Sequence, residues 1–147
     1  METKSREFGI DILKDLLDQT EINYKIITEE EDSFIRLKFS SKKTKEITNV
    51  MLKPADNRLL ILILDVQNIA DVENKHKLFE EILKFNSREV LYGTLGYEPE
   101  IDSITYTNGI SLDSRSTLHK EEFLDYIAYA LFIVDKTRRK FTIDQSS

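Results

Sequence analysis

Cysteine is absent from the sequence, which excludes disulfides, thiolate metal ligands and cysteine nucleophiles together. Glycine and proline are scarce, with four and two residues respectively, and this leaves little room for phosphate-cradling loops or long flexible linkers. Neither a Walker loop nor a G-x-G-x-x-G fingerprint occurs. Phosphate binding by either of these loops is therefore excluded.

Histidine is almost as rare, and the two copies, His76 and His119, fall in different predicted elements. No second ligand stands at a spacing such as H-x-x-x-H, so we predict no metal site, and we expect no cofactor. The glycines form no G-x-S-x-G elbow for a serine nucleophile. Adjacent carboxylates such as Glu80-Glu81 diverge by ~100° on a helix and do not converge on one atom. With no catalytic residues predicted, we expect a protein that is not an enzyme.

The composition is that of a globular chain with a heavily charged surface, since 40% of the residues are hydrophobic and 33% are charged. The length predicts a single domain over residues 1–147, in which we expect about 141–147 to form a disordered tail. The net charge of −6 repels a phosphate backbone, so we expect no nucleic-acid partner. The charged start, Met1–Glu7, leads into no apolar signal segment, so we expect a cytoplasmic protein with no membrane partner.

The longest apolar run lies within Arg58–Val66, where branched residues fill Leu59–Leu64 without interruption. The run is far shorter than the roughly 20 apolar residues of a membrane span. A half-buried strand would alternate apolar and polar residues, so this run predicts a strand covered on both faces. A buried helical segment is the competing interpretation, but the flanking turn residues favour a strand. We expect a central strand with helices on one side and a second covering on the other.

Hydrophobic periodicity predicts the element order α-β-β-β-β-α-β-β-α. Because the strands are grouped rather than alternating with helices, the fold class is α+β: an antiparallel sheet, built from a meander of about four strands plus two later strands, with three packed helices. The predicted helices are residues 5–19 with Ser5 as N-cap, Lys75–Asn86, and Leu118–Arg139 with Thr117 as N-cap, and the predicted late strands are Val90–Tyr97 and Ile101–Leu112.

Local patterns predict three details of these elements. Gly93 and Gly96 are candidate bulges or points of close backbone approach. Asn108-Gly109 is typical of a tight turn, so the last strand is expected to fold or bulge there. The second helix has a single apolar face, expected to pack on the sheet, made of Leu78, Phe79, Ile82, Leu83 and Phe85.

The third helix carries apolar residues that a core stripe does not explain. With Phe123 at 0° and ~100° per residue, a stripe within about 80° contains Ile127, Ala130, Leu131 and Val134. Phe132 then falls near 180° and Tyr129 near 240°. Either the helix is sandwiched or these aromatics are ordinary exposed residues, or they form a partner surface, because Tyr and Phe are enriched at protein interfaces. We predict partner binding through Tyr129 and Phe132.

The basic residues at the end of the third helix, Lys136–Lys140, have two interpretations: they complement the helix dipole, or they form a basic patch. The first is favoured. The second would support a regulator that contacts nucleic acid through this cluster together with Lys42, Lys43 and Lys45. A third function class is a small-ligand-binding domain or an enzyme of unrecognised type, with a pocket between the sheet and the helices.

Four segments mark the order of elements along the chain: Leu59–Val66, Leu78–Asn86, Gly109–Asp113 and Thr117–Phe123. With these segments, the chain resembles the YbjN-like and type III secretion chaperone-like families, in which a helix, a strand meander, a helix ending near an asparagine, two strands and a closing helix follow one another. The resemblance implies a non-enzymatic protein, often a dimer, that holds a partner polypeptide or acts as a regulator. We therefore expect a chaperone-like or regulatory module that acts as a homodimer and presents apolar surface to a protein partner.

Overall fold

A computed structural model describes residues 9–30, 32–42, 45–112 and 118–142 of the chain. The element order is the predicted one, and the α+β fold class is confirmed. The elements are α1 (Ile10–Asp18), β1 (Tyr24–Glu29), β2 (Asp32–Ser40), β3 (Ile47–Ala55), β4 (Arg58–Asn68), α2 (Lys75–Arg88), β5 (Thr94–Glu98), β6 (Ser103–Ser111) and α3 (Lys120–Thr142).

The six strands form one antiparallel sheet in the order β1-β2-β3-β4-β6-β5. The first four strands make the predicted meander, and α2 then carries the chain beyond β4 so that β5 lies at an edge and β6 returns beside β4. Each helix contacts a different part of the sheet: α1 packs on β2, α3 on β4 and α2 on β5. The free edges of the sheet are therefore β1 and β5.

Local sequence explains where several elements begin and turn. Asp56 and Asn57, with φ of 45° and 63°, make the tight hairpin turn between β3 and β4. Asn74 caps α2, since its side chain accepts a hydrogen bond from the Lys77 amide. The predicted N-caps Ser5 and Thr117 lie outside the described residues.

The central strand β4 is buried on one face only, so the prediction of cover on both faces is wrong for the single subunit. Leu59, Ile61 and Ile63 are fully buried and belong to one core cluster with residues of all three helices. Leu60 and Leu62 are half-buried, and Leu64 is 40% exposed. The helices supply a single layer, and neighbouring strands shield the second face only partly.

We call this second side of the sheet the open face. The register places Met51 directly opposite Leu62, and Phe34 opposite Ile27, on this same side. Its apolar residues alternate with charged and polar ones, including Glu29 and Asp32, so it is neither a solvated polar face nor a dry core face. The residues that define the open face are Ile27, Phe34, Met51, Leu60, Leu62, Leu64, Lys25, Glu29, Asp32, Arg36, Lys38, Lys53 and Arg58.

Two predicted strand details are wrong. The chain does not turn at Asn108-Gly109, because β6 runs through both residues in continuous register with β4. Val90–Gly93 is not strand, since β5 begins only at Thr94 and Gly93 has a φ of 83°. At Asn108-Gly109, pairing with β4 overrides the local preference for a turn. At Gly93, the left-handed backbone conformation prevents the strand from beginning earlier than Thr94.

Two helix details also differ from expectation. Four of the five apolar residues of the α2 face are buried or half-buried, but Leu83 is 68% exposed and does not pack on the sheet. The closing helix extends past Arg139, and Phe141 is 3% exposed, so residue 141, expected in the tail, belongs to the packed helix. Residues 143–147 lie outside the described residues.

Arg138 fastens α3 to the sheet at the place where β3 and β4 part. Its Nε donates to the Val66 carbonyl at 2.7 Å, and its Nη2 donates to the Asp65 carbonyl at 2.9 Å. On the β3 side, its Nη1 donates to Thr48 Oγ1 at 2.7 Å and its Nη2 to the Ile47 carbonyl at 3.4 Å. One guanidinium therefore joins two strands and a helix.

The strand register explains why this site needs a side-chain donor. The pairing of β3 with β4 runs from Ala55↔Arg58 only as far as Met51↔Leu62, and the register of β4 on β6 shifts between Ile63 and Gln67. Carbonyls in this stretch of β4 thus lie where the regular ladder is interrupted. A buried carbonyl without a donor is costly, and Arg138 supplies the donors.

Replacing Arg138 by methionine keeps the side-chain volume but removes every donor. We expect Arg138→Met to lower the free energy of unfolding by about 2 kcal/mol, because charged hydrogen bonds are lost, including those to the part-buried Val66 carbonyl and Thr48 hydroxyl. Urea unfolding followed by circular dichroism measures the change. The matched control is Arg139→Met, whose side chain is 68% exposed and pairs with Asp135, and it should cost less than about 0.5 kcal/mol. Equal effects of the two substitutions would contradict the role given to Arg138.

Candidate functional site

Exposed apolar side chains gather where α3 meets the connection between α2 and β5. Leu91 is 79% exposed, Tyr92 55% and Phe132 52%. Tyr126 and Tyr129 lie beneath them and are half-buried. We call these five residues the aromatic patch. Contiguous exposed apolar surface of this kind marks interaction sites more often than scattered single residues do.

The patch residues of α3 follow helical spacing. Tyr126, Tyr129 and Phe132 stand three residues apart, so they form a stripe along one side of the helix. This stripe flanks the core stripe, in which Phe123, Ala130 and others are buried. Phe132 lies outside the core and is 52% exposed, whereas Tyr129 is half-buried and packs against the core cluster.

The rings of the patch pack against one another in edge-to-face and tilted arrangements. Tyr92 meets Tyr129 edge-on, with ring centroids 5.5 Å apart, and meets Tyr126 in the same manner at 6.3 Å. Tyr129 contacts Phe132 at 6.3 Å. Such pairs are favourable beyond the area that they bury, so the rings hold each other in place.

Hydrogen bonds fix the backbone beneath the exposed side chains of the loop. The Leu91 amide donates to the Tyr129 hydroxyl at 2.6 Å, and the Tyr106 hydroxyl donates to the Tyr92 carbonyl at 2.8 Å. Tyr106 is fully buried, and burial raises the pKa of its phenol, so it remains a protonated donor. The loop backbone is therefore anchored from α3 on one side and from β6 on the other.

Gly93 permits this close approach of the loop to β6. Its φ of 83° is left-handed, and a Cβ built there would lie 2.7 Å from the Thr107 carbonyl oxygen and 2.7 Å from the Tyr106 hydroxyl. No side chain larger than hydrogen fits without displacing backbone. The predicted close-approach role of Gly93 is confirmed.

The result is apolar surface on a preorganised scaffold. Leu91 and Tyr92 are exposed although their backbone is bonded to the protein, so their order is not the result of side-chain burial. Binding a partner would then cost little loop ordering, which is where preorganised interfaces gain affinity. Large aromatic residues surrounded by less critical contacts are typical of binding hot spots.

The structure brings both sequence-predicted residues into the patch but gives them different positions. Phe132 projects outward, whereas Tyr129 is half-buried and supports the loop through its hydroxyl. The periodicity analysis missed Leu91 and Tyr92, which it placed in a strand. The signal that was available is an apolar run, Val90–Tyr92, that directly follows a helix and ends at a glycine.

The basic residues at the end of α3 are engaged within the subunit. Lys136 and Lys140 both pair with Glu89, at 3.1 Å and 3.7 Å, and the bonded Lys136 ammonium lowers the pKa of that carboxyl. Arg138 is held by the sheet carbonyls. Lys136 also lies 5.8 Å from the centre of the Phe132 ring, which places a cation at the rim of the aromatic patch.

A polar cluster lies at the other end of β5. Asp102 accepts hydrogen bonds from the Tyr97 hydroxyl and, at 3.0 Å, from the Lys75 ammonium. The Tyr97 and Lys75 contacts lower the pKa of Asp102, and the carboxylate in turn raises the pKa of Tyr97. These shifts keep the acid ionised and the phenol protonated. General acid–base catalysis near neutral pH needs the opposite tuning, so the cluster has the properties of a structural one.

A shallow depression lies at the connection of α1 to β1 rather than between the sheet and the helices, and its walls include Leu17, Thr20 and Tyr24. Within the described residues, no three side chains among His, Asp and Glu are grouped so that they could hold a metal ion. His76 and His119 are exposed and lie near the starts of α2 and α3.

None of the helices in the described part of the chain is long and apolar enough to cross a membrane. A comparison of the chain with protein-family models gives no match, and a comparison with curated proteins gives none either. The resemblance to chaperone-like families therefore stays a prediction that rests on element order.

Alanine at position 93 tests the anchoring of the loop. We expect Gly93→Ala to lower the free energy of unfolding by about 2–4 kcal/mol, because the left-handed φ and the contact with the Thr107 carbonyl are both unfavourable for a Cβ. Chemical denaturation measures the loss. Gly109→Ala is the control, since its Cβ would meet only the Leu60 side chain at 3.4 Å, and its stability should stay within about 1 kcal/mol of wild type.

Acidification tests the Asp102 cluster. Since the folded-state pKa of Asp102 is lowered, its contribution is present above the unfolded pKa of about 4 and is lost as pH falls through the folded value. Asp102→Asn should therefore be less stable than wild type at pH 7, and the difference should shrink as the pH is lowered to about 2. Thermal unfolding across this pH range measures both. A difference that is independent of pH would contradict the assignment. Tyr97→Phe should also be less stable than wild type at pH 7, because it removes the hydrogen-bond donor that contributes most to the lowered pKa of Asp102.

Proposed function

We propose that the protein is a non-enzymatic binding module, chaperone-like or regulatory, that acts as a homodimer and presents the aromatic patch to a polypeptide partner. The observation that carries the proposal is the exposure of Leu91, Tyr92 and Phe132 on a backbone fixed by hydrogen bonds. Burying such side chains in a partner groove gains hydrophobic free energy without an ordering cost in this protein. A cytoplasmic location, without membrane or nucleic-acid partners, belongs to the same proposal.

The charges at the rim of the aromatic patch indicate which kind of partner segment would bind there. Lys136 and Lys140 share a single carboxylate, Glu89, so the end of α3 next to Phe132 carries more basic than acidic groups. A partner segment with aromatic or aliphatic residues followed by an acidic residue suits this arrangement. Nucleic acid suits it less, because Arg138 is occupied by the sheet carbonyls and the patch tyrosines pack against one another.

The alternative of a small-ligand domain or an enzyme requires polar groups that converge in a pocket between the sheet and the helices. The depression in the structure is at the α1–β1 connection, and the Tyr97–Asp102–Lys75 cluster is fixed in a structural protonation pattern. Neither observation favours that function over protein binding.

Selection from a displayed library of short random peptides against the immobilised protein tests the proposal. We expect enriched peptides to carry apolar or aromatic residues and to bind with dissociation constants in the micromolar range. Phe132→Asp and Leu91→Asp should each weaken this binding by about tenfold or more, which is the effect of a hot-spot residue. Fluorescence anisotropy with the labelled peptides measures the affinities.

Ile101→Asp is the matched control. Ile101 is 46% exposed, close to Phe132 in exposure, but it lies in the turn at the far end of β5 from Leu91. Its substitution introduces the same charge and should leave peptide affinity unchanged. The proposal is overturned if no peptide is enriched, or if all three variants bind the enriched peptides as wild type does.

A further inference from the structure

The two edges of the sheet differ in how they are protected. At β5, the Asn86 side chain accepts from the Leu95 amide at 2.8 Å and donates to the Leu95 carbonyl at 3.0 Å. This amide occupies the groups that an added strand would use. At β1, no side chain of the described residues is bonded to the strand backbone in this way, and the strand contains no proline or bulge. An uncovered edge of this kind is a template for another strand.

The charges along β1 are mismatched within the subunit. Lys25 lies directly opposite Arg36, and Glu29 lies directly opposite Asp32, so both ends of β1 face a like charge on β2. Asp32 has its own partner, Lys53, at 3.6 Å. Neither Lys25 nor Glu29 makes an ion pair with another described residue. Like charges directly opposite on neighbouring strands are unfavourable.

Pairing with β1 of a second copy would place an unlike charge opposite both Lys25 and Glu29. When two copies of β1 pair antiparallel with Ile27 at the two-fold axis, Lys25 of each copy lies opposite Glu29 of the other. We propose that the protein forms a symmetric homodimer by this pairing of β1 edges, which joins the two six-stranded sheets into one. The occupant of the edge is a second copy because the strand is complementary in charge to itself in this register.

The direction of the backbone amide and carbonyl groups along β1 is compatible with the same register. In an antiparallel ladder, alternate residues direct their amide and carbonyl groups to the same side of the strand. Pairing around Ile27 sets Ile26 opposite Thr28 of the second copy, and these two residues belong to one alternating set. The side chain of Ile26, 39% exposed at the free edge, then gains a neighbour on the helix-covered side.

This inference rests on the homodimer of the proposed function and assigns its interface to the other edge of the sheet, away from the peptide-binding patch. The aromatic patch lies where α2, β5 and α3 meet, and it stays uncovered in such a dimer. Variants at positions 25 and 29 do not touch the patch, and variants at 91 and 132 do not touch β1. The failure of one proposal is therefore distinguishable from the failure of the other.

Sedimentation of the full chain over a wide range of concentrations tests the dimer with a charge exchange. Lys25→Glu and Glu29→Lys each turn two attractive pairs of the dimer into repulsive ones, so the dissociation constant should rise by about tenfold or more. The double variant Lys25→Glu/Glu29→Lys restores both pairs and should return the dissociation constant to near the wild-type value. Lys38→Glu is the control, since it makes the same charge change on β2, outside the pairing.

The single variants are expected to fold, because each places a charge opposite an unlike charge of its own subunit, Arg36 or Asp32. Their melting temperatures, measured at a concentration where wild type is monomeric, should be no lower than that of wild type. A second measurement is amide hydrogen exchange, in which alternate amides of β1 should become protected as wild-type concentration rises. A wild type that stays monomeric overturns the proposal. So does a dimer that is insensitive to Lys25→Glu, or a double variant that stays as weak as the single ones.

Discussion

The hydrogen bonds of Arg138 fasten the end of α3 to the sheet, and they act together with the buried stripe of that helix to hold it in place. Past Met51 and Leu62 the β3–β4 ladder stops, and the guanidinium replaces it by bonding to carbonyls of both strands. A helix fastened at this point has a fixed rotation about its axis. That rotation directs one stripe of α3 into the core and carries Tyr129 to the loop that it supports. The aromatic patch is therefore a distant consequence of an interruption in the sheet.

Element order and fold class were predictable because they depend on local periodicity. Helical and strand patterns are repeated often enough along this chain to identify all nine elements in order. Details that depend on long-range pairing were not predictable. Asn108-Gly109 has the local preference of a turn, but hydrogen bonds to β4 hold it in a strand. The apolar run in β4 suggested two covered faces, whereas the helices of this protein cover one. A sequence pattern identifies the apolar side chains, but it does not show which of them are buried within a single subunit.

The residues of the candidate site were likewise predictable only in part. Phe132 was identified from its angle on a helical wheel, a property of the helix alone. Leu91 and Tyr92 were missed, since the loop that exposes them is held by contacts 38 and 14 residues away in the chain. Gly93 was recognised as a point of close approach, but what it approaches is set by β6. Sequence reasoning thus finds the members of a surface that lie on a regular element and overlooks those held by tertiary hydrogen bonds.

Asn86 has a consequence for assembly. Its amide occupies both backbone groups of Leu95 on the edge strand β5, so a strand added at this edge could not bond to that residue. In the proposed dimer, which is joined through β1, this protection would hinder the addition of further strands at β5. A chain with both borders open would instead polymerise without limit, in the manner of cross-β fibres. One carboxamide on α2 would thereby favour finite association over fibril formation.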